Sequence, residues 1–142
     1  MTVRVPDEFL DLFASDAFGH LATVMADGSP RVTPVWVAIE EHNGQQLILV
    51  NSKTGRLKNR NMAVRPQVAV EVHDPRRPYR YVSVRGLVVS ATTDGARDQL
   101  EELSQRYLGT AYPWYAEGEV RELFRIRPER VVTGNFGLRR AA

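Results

Sequence analysis

The chain has 142 residues, enough for one domain with a core, with 43% hydrophobic and 25% charged residues and a formal net charge of +2. It has no cysteine, which excludes disulfides, thiolate metal sites and thiol nucleophiles, and no apolar run approaches the ~20 residues of a membrane helix. Met1 to Glu8 contain no apolar signal segment, so the expectation is a cytoplasmic protein with a single domain over 1–142.

Pro6, the acids Asp7 and Glu8, and Phe9, Leu10 and Phe13 on one side predict a helix over about 7–15. A strand from Phe18 to Met25 then meets Asp27-Gly28, a strong hairpin signal, and a second strand runs from Arg31 to about Glu40. Pro34 lies inside that strand and cannot donate to a ladder, so it implies an edge or a bulge. After a turn at Glu41 to Gly44, a third strand over Gln46–Asn51 empties into a helix over about 55–64, with Ser52 or Thr54 as its cap and Pro66 beyond its end. Gln67–His73 and Tyr79–Thr92 read as strands around a loop at Asp74–Pro78, and Gly86 permits a sharp bend in the second. A helix over about 94–108, capped by Asp94 and stopped by Gly109, turns Leu100, Leu103 and Tyr107 inward. An irregular stretch, Thr110–Gly118, carries Tyr112, Trp114 and Tyr115. Strands Val120–Arg127 and Arg130–Gly134 then close the chain about a turn at Pro128-Glu129. Six to seven antiparallel strands with helices inserted between them imply a mainly β barrel or sandwich.

Charge is concentrated rather than spread. Residues 1–50 hold seven acids against Arg4 and Arg31, whereas residues 51–90 hold nine cations against Glu71 and Asp74. Lys53, Arg56, Lys58 and Arg60 fall at the end of a strand and the start of a helix, where free N–H groups favour an anion. A phosphorylated or carboxylated small molecule fits a local cluster better than nucleic acid does. His20, His42 and His73 lie far apart with none at ligand spacing, so no metal site is expected.

Three motifs appear in order: Leu21-Ala22-Thr23-Val24 with Asp27-Gly28-Ser29-Pro30 and Thr33-Pro34-Val35-Trp36; Asn51-Ser52-Lys53 through Arg56-Leu57-Lys58-Asn59-Arg60-Asn61; and Pro78-Tyr79-Arg80-Tyr81-Val82-Ser83-Val84-Arg85-Gly86. Together, over roughly Val5 to Phe136, they resemble the split β-barrel, FMN-binding-protein-like superfamily that includes pyridoxamine 5'-phosphate oxidase. The combination looks most like the branch that uses the deazaflavin coenzyme F-420. The resemblance implies that Lys53, Arg56, Lys58 and Asn59, with Asn51 and Ser52 beside them, hold the cofactor phosphate, Asn61 being a weaker candidate. It implies that Thr33, Pro34, Val35 and Trp36 line the ring. It implies a homodimer with sites at the subunit interface, reached by Tyr79, Arg80 and Trp114 of the other chain, and arginines 76, 77 and 80 would suit a polyglutamate tail. Arg130 to Phe136 lack the Arg and His substrate motif of true pyridoxamine phosphate oxidases, so that activity is not expected.

The activity so implied is hydride transfer from reduced F-420 to an activated double bond of a small organic substrate. It needs no protein nucleophile, and no catalytic residue is singled out. Two alternatives stand beside it: an FMN-dependent oxidoreductase on the same fold, and a non-catalytic module, either a flavin-binding protein or a small barrel whose Tyr79, Arg80 and Tyr81 face nucleic acid.

Overall fold

The computed structural model describes residues 3–137, so both ends of the domain expected over 1–142 lie outside them. Seven strands form one antiparallel sheet: β1 (Gly19–Val24), β2 (Pro30–Val35), β3 (Val37–His42), β4 (Gln45–Lys53), β5 (Gln67–Asp74), β6 (Arg77–Thr92) and β7 (Arg121–Asn135). Helix α1 (Leu57–Val64) follows β4, and helix α2 (Ala96–Leu108) follows β6. Among the described residues no helix is long and apolar enough to cross a membrane.

The strand order is β2-β1-β5-β6-β7-β4-β3, so the two outermost strands, β2 and β3, are consecutive in the chain with Trp36 alone between them. Two Cα steps span at most ~7 Å. Val35 and Val37 therefore hold the sheet's two edges together, and the sheet rolls into a split β-barrel whose split lies at Trp36. The single strand expected from Arg31 to about Glu40 is accordingly two strands, because the chain leaves one edge and joins the other. Pro34 sits in the edge strand β2 opposite His20, where the sheet asks least of a residue that cannot donate.

Alternation places one face of each strand inside. Val37, Ile48, Val50, Val72, Val82 and Ile126 are fully buried there. One end is closed by the N-terminal segment Asp7–Phe13, which buries Phe9, Leu12 and Phe13. It is a 3-10 helix, not the longer helix expected over about 7–15: the Phe9 amide donates to Pro6 and that of Ala14 to Asp11. Seven residues are too few for an α-helix to stand on propensity, so packing sets the tighter winding.

The C-terminal pair of strands expected around Pro128-Glu129 is one strand. β7 pairs with β4 only as far as Ile126 opposite Ile48, so Pro128 has no β4 neighbour to donate to. On its other side Pro128 faces Gly86 where the β6–β7 register slips, and a Cβ on Gly86 would lie 2.5 Å from the Arg127 carbonyl oxygen. The bend expected at Gly86 is thus a bulge matched to Pro128. Outside the barrel, Ala96 of α2 packs on Leu49 and Leu123. The cap of α2 is Gly95 rather than Asp94, whose backbone carbonyl instead accepts from the Thr92 hydroxyl, and Gly109 ends the helix in the left-handed region.

Candidate cofactor site

A cleft of about 240 Å³ opens where the barrel splits. Its lining combines two chemistries, which meet where the Arg121 guanidinium lies over the Tyr112 ring, 5.7 Å from its centroid. Phe18, Trp36, Tyr112 and Trp114, with Pro34 among them, form an aromatic wall, Lys53, Arg56, Lys58 and Arg121 form a cationic group, and Leu100 and Leu103 of α2 complete the lining.

The aromatic wall is held from behind. Trp36 stacks on Tyr107, with centroids 5.0 Å apart and planes within 3°, and Phe18 stacks on the same ring at 5.6 Å. The Tyr107 hydroxyl donates to the Ala17 carbonyl (2.6 Å) and accepts from the Val37 amide (3.2 Å), so the residue after Trp36 is fixed to the same anchor. Arg106 donates to the carbonyls of Phe13 and Val37. Burial holds its pKa below the usual guanidinium value and raises that of the Tyr107 phenol. Tyr112 meets Trp36 edge-on at 6.0 Å and Trp114 at 5.6 Å. Their irregular segment is tied to α2 through Glu101, which accepts from the Tyr112 amide and the Tyr115 hydroxyl, and through Ser104, which donates to the Thr110 carbonyl.

Among the cations of the lining the charges do not cancel. Arg121 is paired with the buried Glu119 (2.8 Å) and donates to Asn51 Oδ1. Among the described residues no carboxylate lies within ion-pair distance of Lys53, Arg56 or Lys58. Burial pushes the Lys58 ammonium down to about 8, and repulsion from Arg56, Arg121 and Arg31 adds to the effect. α1 begins at Arg56 with no side-chain cap and no acid in its first turn, so neither Ser52 nor Thr54 is the cap expected from sequence. The Thr54 amide donates to the Val120 carbonyl, and the buried Ser52 hydroxyl, on the cleft wall, has no partner among the described residues. A bound anion would answer all of these groups together.

Of the residues singled out in the sequence, Pro34, Val35, Trp36, Asn51, Ser52, Lys53, Arg56 and Lys58 line this cleft. Asn51 faces it while serving as an anchor, its amide donating to Ala96 and Gln99 of α2. Thr33, Asn59, Tyr79 and Arg80 are not part of the lining. Asn59 is buried and donates to the Lys53 carbonyl and to Glu122, thereby shaping the loop that presents Lys53. Asn61 turns inward to the Thr23 hydroxyl. Arg80 donates to both Asp11 oxygens (2.6 and 3.0 Å) and to the Glu8 carbonyl, and these bonds hold the Asp11 carboxyl below its usual range. Tyr79 is 56% exposed near the start of β6. Trp114, expected from the other chain, lines the cleft of its own. Arg121 and Tyr112 were not singled out as site residues. Arg121 reaches the site because it lies opposite Lys53 in the β4–β7 register, a pairing no local motif reveals.

The lowered Lys58 value gives a signed expectation. An anion favours the charged ammonium, so affinity for sulfate, whose own charge is fixed over this range, is highest below about pH 8 and falls above it, by up to ~10-fold per pH unit. Titrations between pH 7 and 9.5 should show this slope for the wild type and none for Lys58→Arg, which stays charged throughout.

A profile of the pyridoxamine 5'-phosphate oxidase family matches residues 5–133. The chain belongs to the pyridoxamine 5'-phosphate oxidase family. Among solved structures, this family member is similar to an F420 reductase at 35% identity, over 90% of this chain and 98% of that one, with a TM-score of 0.76. It is also similar to the conserved hypothetical protein Rv2991 of Mycobacterium tuberculosis at 25% identity, over 94% and 86% of the two chains, with a TM-score of 0.69. HupZ of Group A Streptococcus shares the fold at 19% identity, over 94% and 100%, with a TM-score of 0.65. A comparison with curated proteins returned no match. Membership supports an oxidoreductase of this family and a flavin-type ligand.

Proposed function

We propose that this protein is an oxidoreductase that binds reduced coenzyme F-420 in the cleft at Trp36 and reduces an activated double bond of a small organic substrate. The observation that carries the reading is the cationic group of the cleft, Lys53, Arg56 and Lys58, with no carboxylate partner among the described residues, set beside an aromatic wall. A phosphate answers the first and a planar ring the second. The similarity to an F420 reductase over nearly the full length of both chains supports a deazaflavin over FMN.

Lys53, Arg56 and Lys58 would hold the phosphate with charge-assisted bonds, joined by the Ser52 hydroxyl, which has no other partner. Trp36, backed by Tyr107, would set the plane of the ring, while Phe18, Tyr112 and Trp114 exclude water from it. The bound cofactor supplies the hydride, so the chain's task is position and electrostatics. This agrees with a sequence that has no cysteine nucleophile. The working unit in this proposal is a homodimer. Tyr79 and Phe136 stand exposed where β6 begins and β7 ends, joined by the Phe136 amide donating to the Tyr79 carbonyl, and Val132 is exposed on β7. Of the three residues expected to reach a partner's site, Trp114 lines the cleft of its own chain and Arg80 is already held by Asp11 and Glu8, which leaves Tyr79.

The test is an equilibrium titration of cofactor-free protein with F-420 and with FMN, read by quenching of tryptophan fluorescence. F-420 should bind at least ~10-fold more tightly. Preference for FMN would move the protein to flavin chemistry, and binding of neither would leave the fold without the activity.

A further inference from the structure

Away from the cleft, the outer face of the sheet brings together three side chains that the sequence holds far apart. His20 on β1 lies directly opposite Glu71 on β5, and His73 is two residues further along β5, hence on the same face. His20 Nδ1 is 3.0 Å from Glu71 Oε1, and His73 Nδ1 is 3.1 and 3.0 Å from the two carboxylate oxygens. The imidazole rings are stacked with planes within 1° and centroids 5.4 Å apart. One ligand atom from each of the three lies within 4.8 Å of the others. Residues that lie some fifty positions apart in sequence, with none at ligand spacing along the chain, are thus brought together by strand pairing.

We infer that His20, Glu71 and His73 bind one divalent transition-metal ion of the zinc type. Two imidazoles and a carboxylate form a donor set such ions take, and no softer ligand is present. A tetrahedral ion with bonds of ~2.0–2.1 Å keeps its ligand atoms ~3.3 Å apart. The N···O separations already stand close to that edge length, and seating the ion turns the two imidazoles out of their parallel stack so that both nitrogen lone pairs, deprotonated, meet at one point. Glu71 has no arginine or lysine within ion-pair distance among the described residues, although the chain carries 19 of them. Its charge is therefore left for a cation. All three side chains are between one third and two fifths exposed, which gives an ion a path in and leaves water the remaining coordination position. β1 and β5 are interior strands, so the donors rest on a rigid base, and an ion would clip the two strands together. The site is independent of the cofactor reading, since none of its residues lines the cleft.

Metal-stripped full-length protein titrated with Co²⁺ should develop the visible absorption of a low-coordinate nitrogen and oxygen site, saturating at one ion per chain. Zn²⁺ should abolish that absorption by competition and raise the thermal midpoint. His20→Ala, His73→Ala and Glu71→Gln should each weaken binding by roughly 10-fold or more. His42→Ala, which changes the remaining histidine at the end of β3, should leave it unchanged. Circular dichroism of each variant separates loss of a ligand from loss of fold. A wild type that gives no Co²⁺ absorption and no Zn²⁺ shift would overturn the inference, as would folded His20→Ala and His73→Ala variants that bind Zn²⁺ undiminished.

Discussion

Replacing Arg56 and Lys58 together by alanine is expected to weaken F-420 binding by two to four orders of magnitude while leaving the empty protein folded. The binding figure follows from removing two charge-assisted contacts of about 1.5–3 kcal/mol each, at about 1.4 kcal/mol per tenfold. The fold should survive because Lys58 costs the empty protein stability as it stands. Its folded pKa, about 8, lies below the unfolded value of 10.5, so the penalty is full below pH 8 and fades as the pH rises towards the unfolded value. Removing it relieves roughly 1 kcal/mol at neutral pH once solvent screening is allowed for. The fluorescence titration and a thermal melt, run on the same double variant, should therefore move in opposite directions. Unchanged affinity would show that the phosphate lies elsewhere.

Gly86→Ala is the second large effect, and it acts on stability. The new methyl would meet the Arg127 carbonyl oxygen at 2.5 Å and Ile126 Cγ2 at 2.9 Å. A backbone oxygen cannot swing aside as a side chain can, so β6 and β7 must separate where the bulge opposite Pro128 already interrupts their register. The expected loss is about 2–4 kcal/mol, or roughly 10 °C in Tm. Urea denaturation is the direct measurement, with Gly137→Ala, whose new methyl meets nothing within 4 Å, as the comparison. A loss under about 0.5 kcal/mol would mean that the strands absorb the methyl without cost.

What the sequence disclosed was local. Asp27-Gly28 marks a turn by its own chemistry, and Gly28 adopts the positive φ of 86° that such a turn uses. Lys53, Arg56 and Lys58 announce an anion site because they are adjacent along the chain. What stayed hidden depends on partners. The apolar run through Val35-Trp36-Val37 looks like one strand, and only the meeting of the sheet's edges shows that Trp36 divides two. Pro128 looks like a turn until Gly86 is seen across from it. Asn59 and Asn61 carry the same amide and lie two residues apart in a basic stretch, yet both turn it to the protein, one to Lys53 and Glu122 and the other to Thr23. A residue type states which bonds it can make, and only the fold states with whom.

The position of β7 has a kinetic consequence. β3 and β4 pair with each other early in the chain, but they join the remaining strands through β7, whose residues come some seventy positions later. During synthesis the hairpin must wait, with its apolar inner face and the free edge of β4 exposed, while β1, β2, β5 and β6 assemble without it. The barrel then closes in one late, long-range event. Refolding should be slow for a protein of this size, and conditions that delay the arrival of β7 should favour aggregation through the unpaired edge of β4.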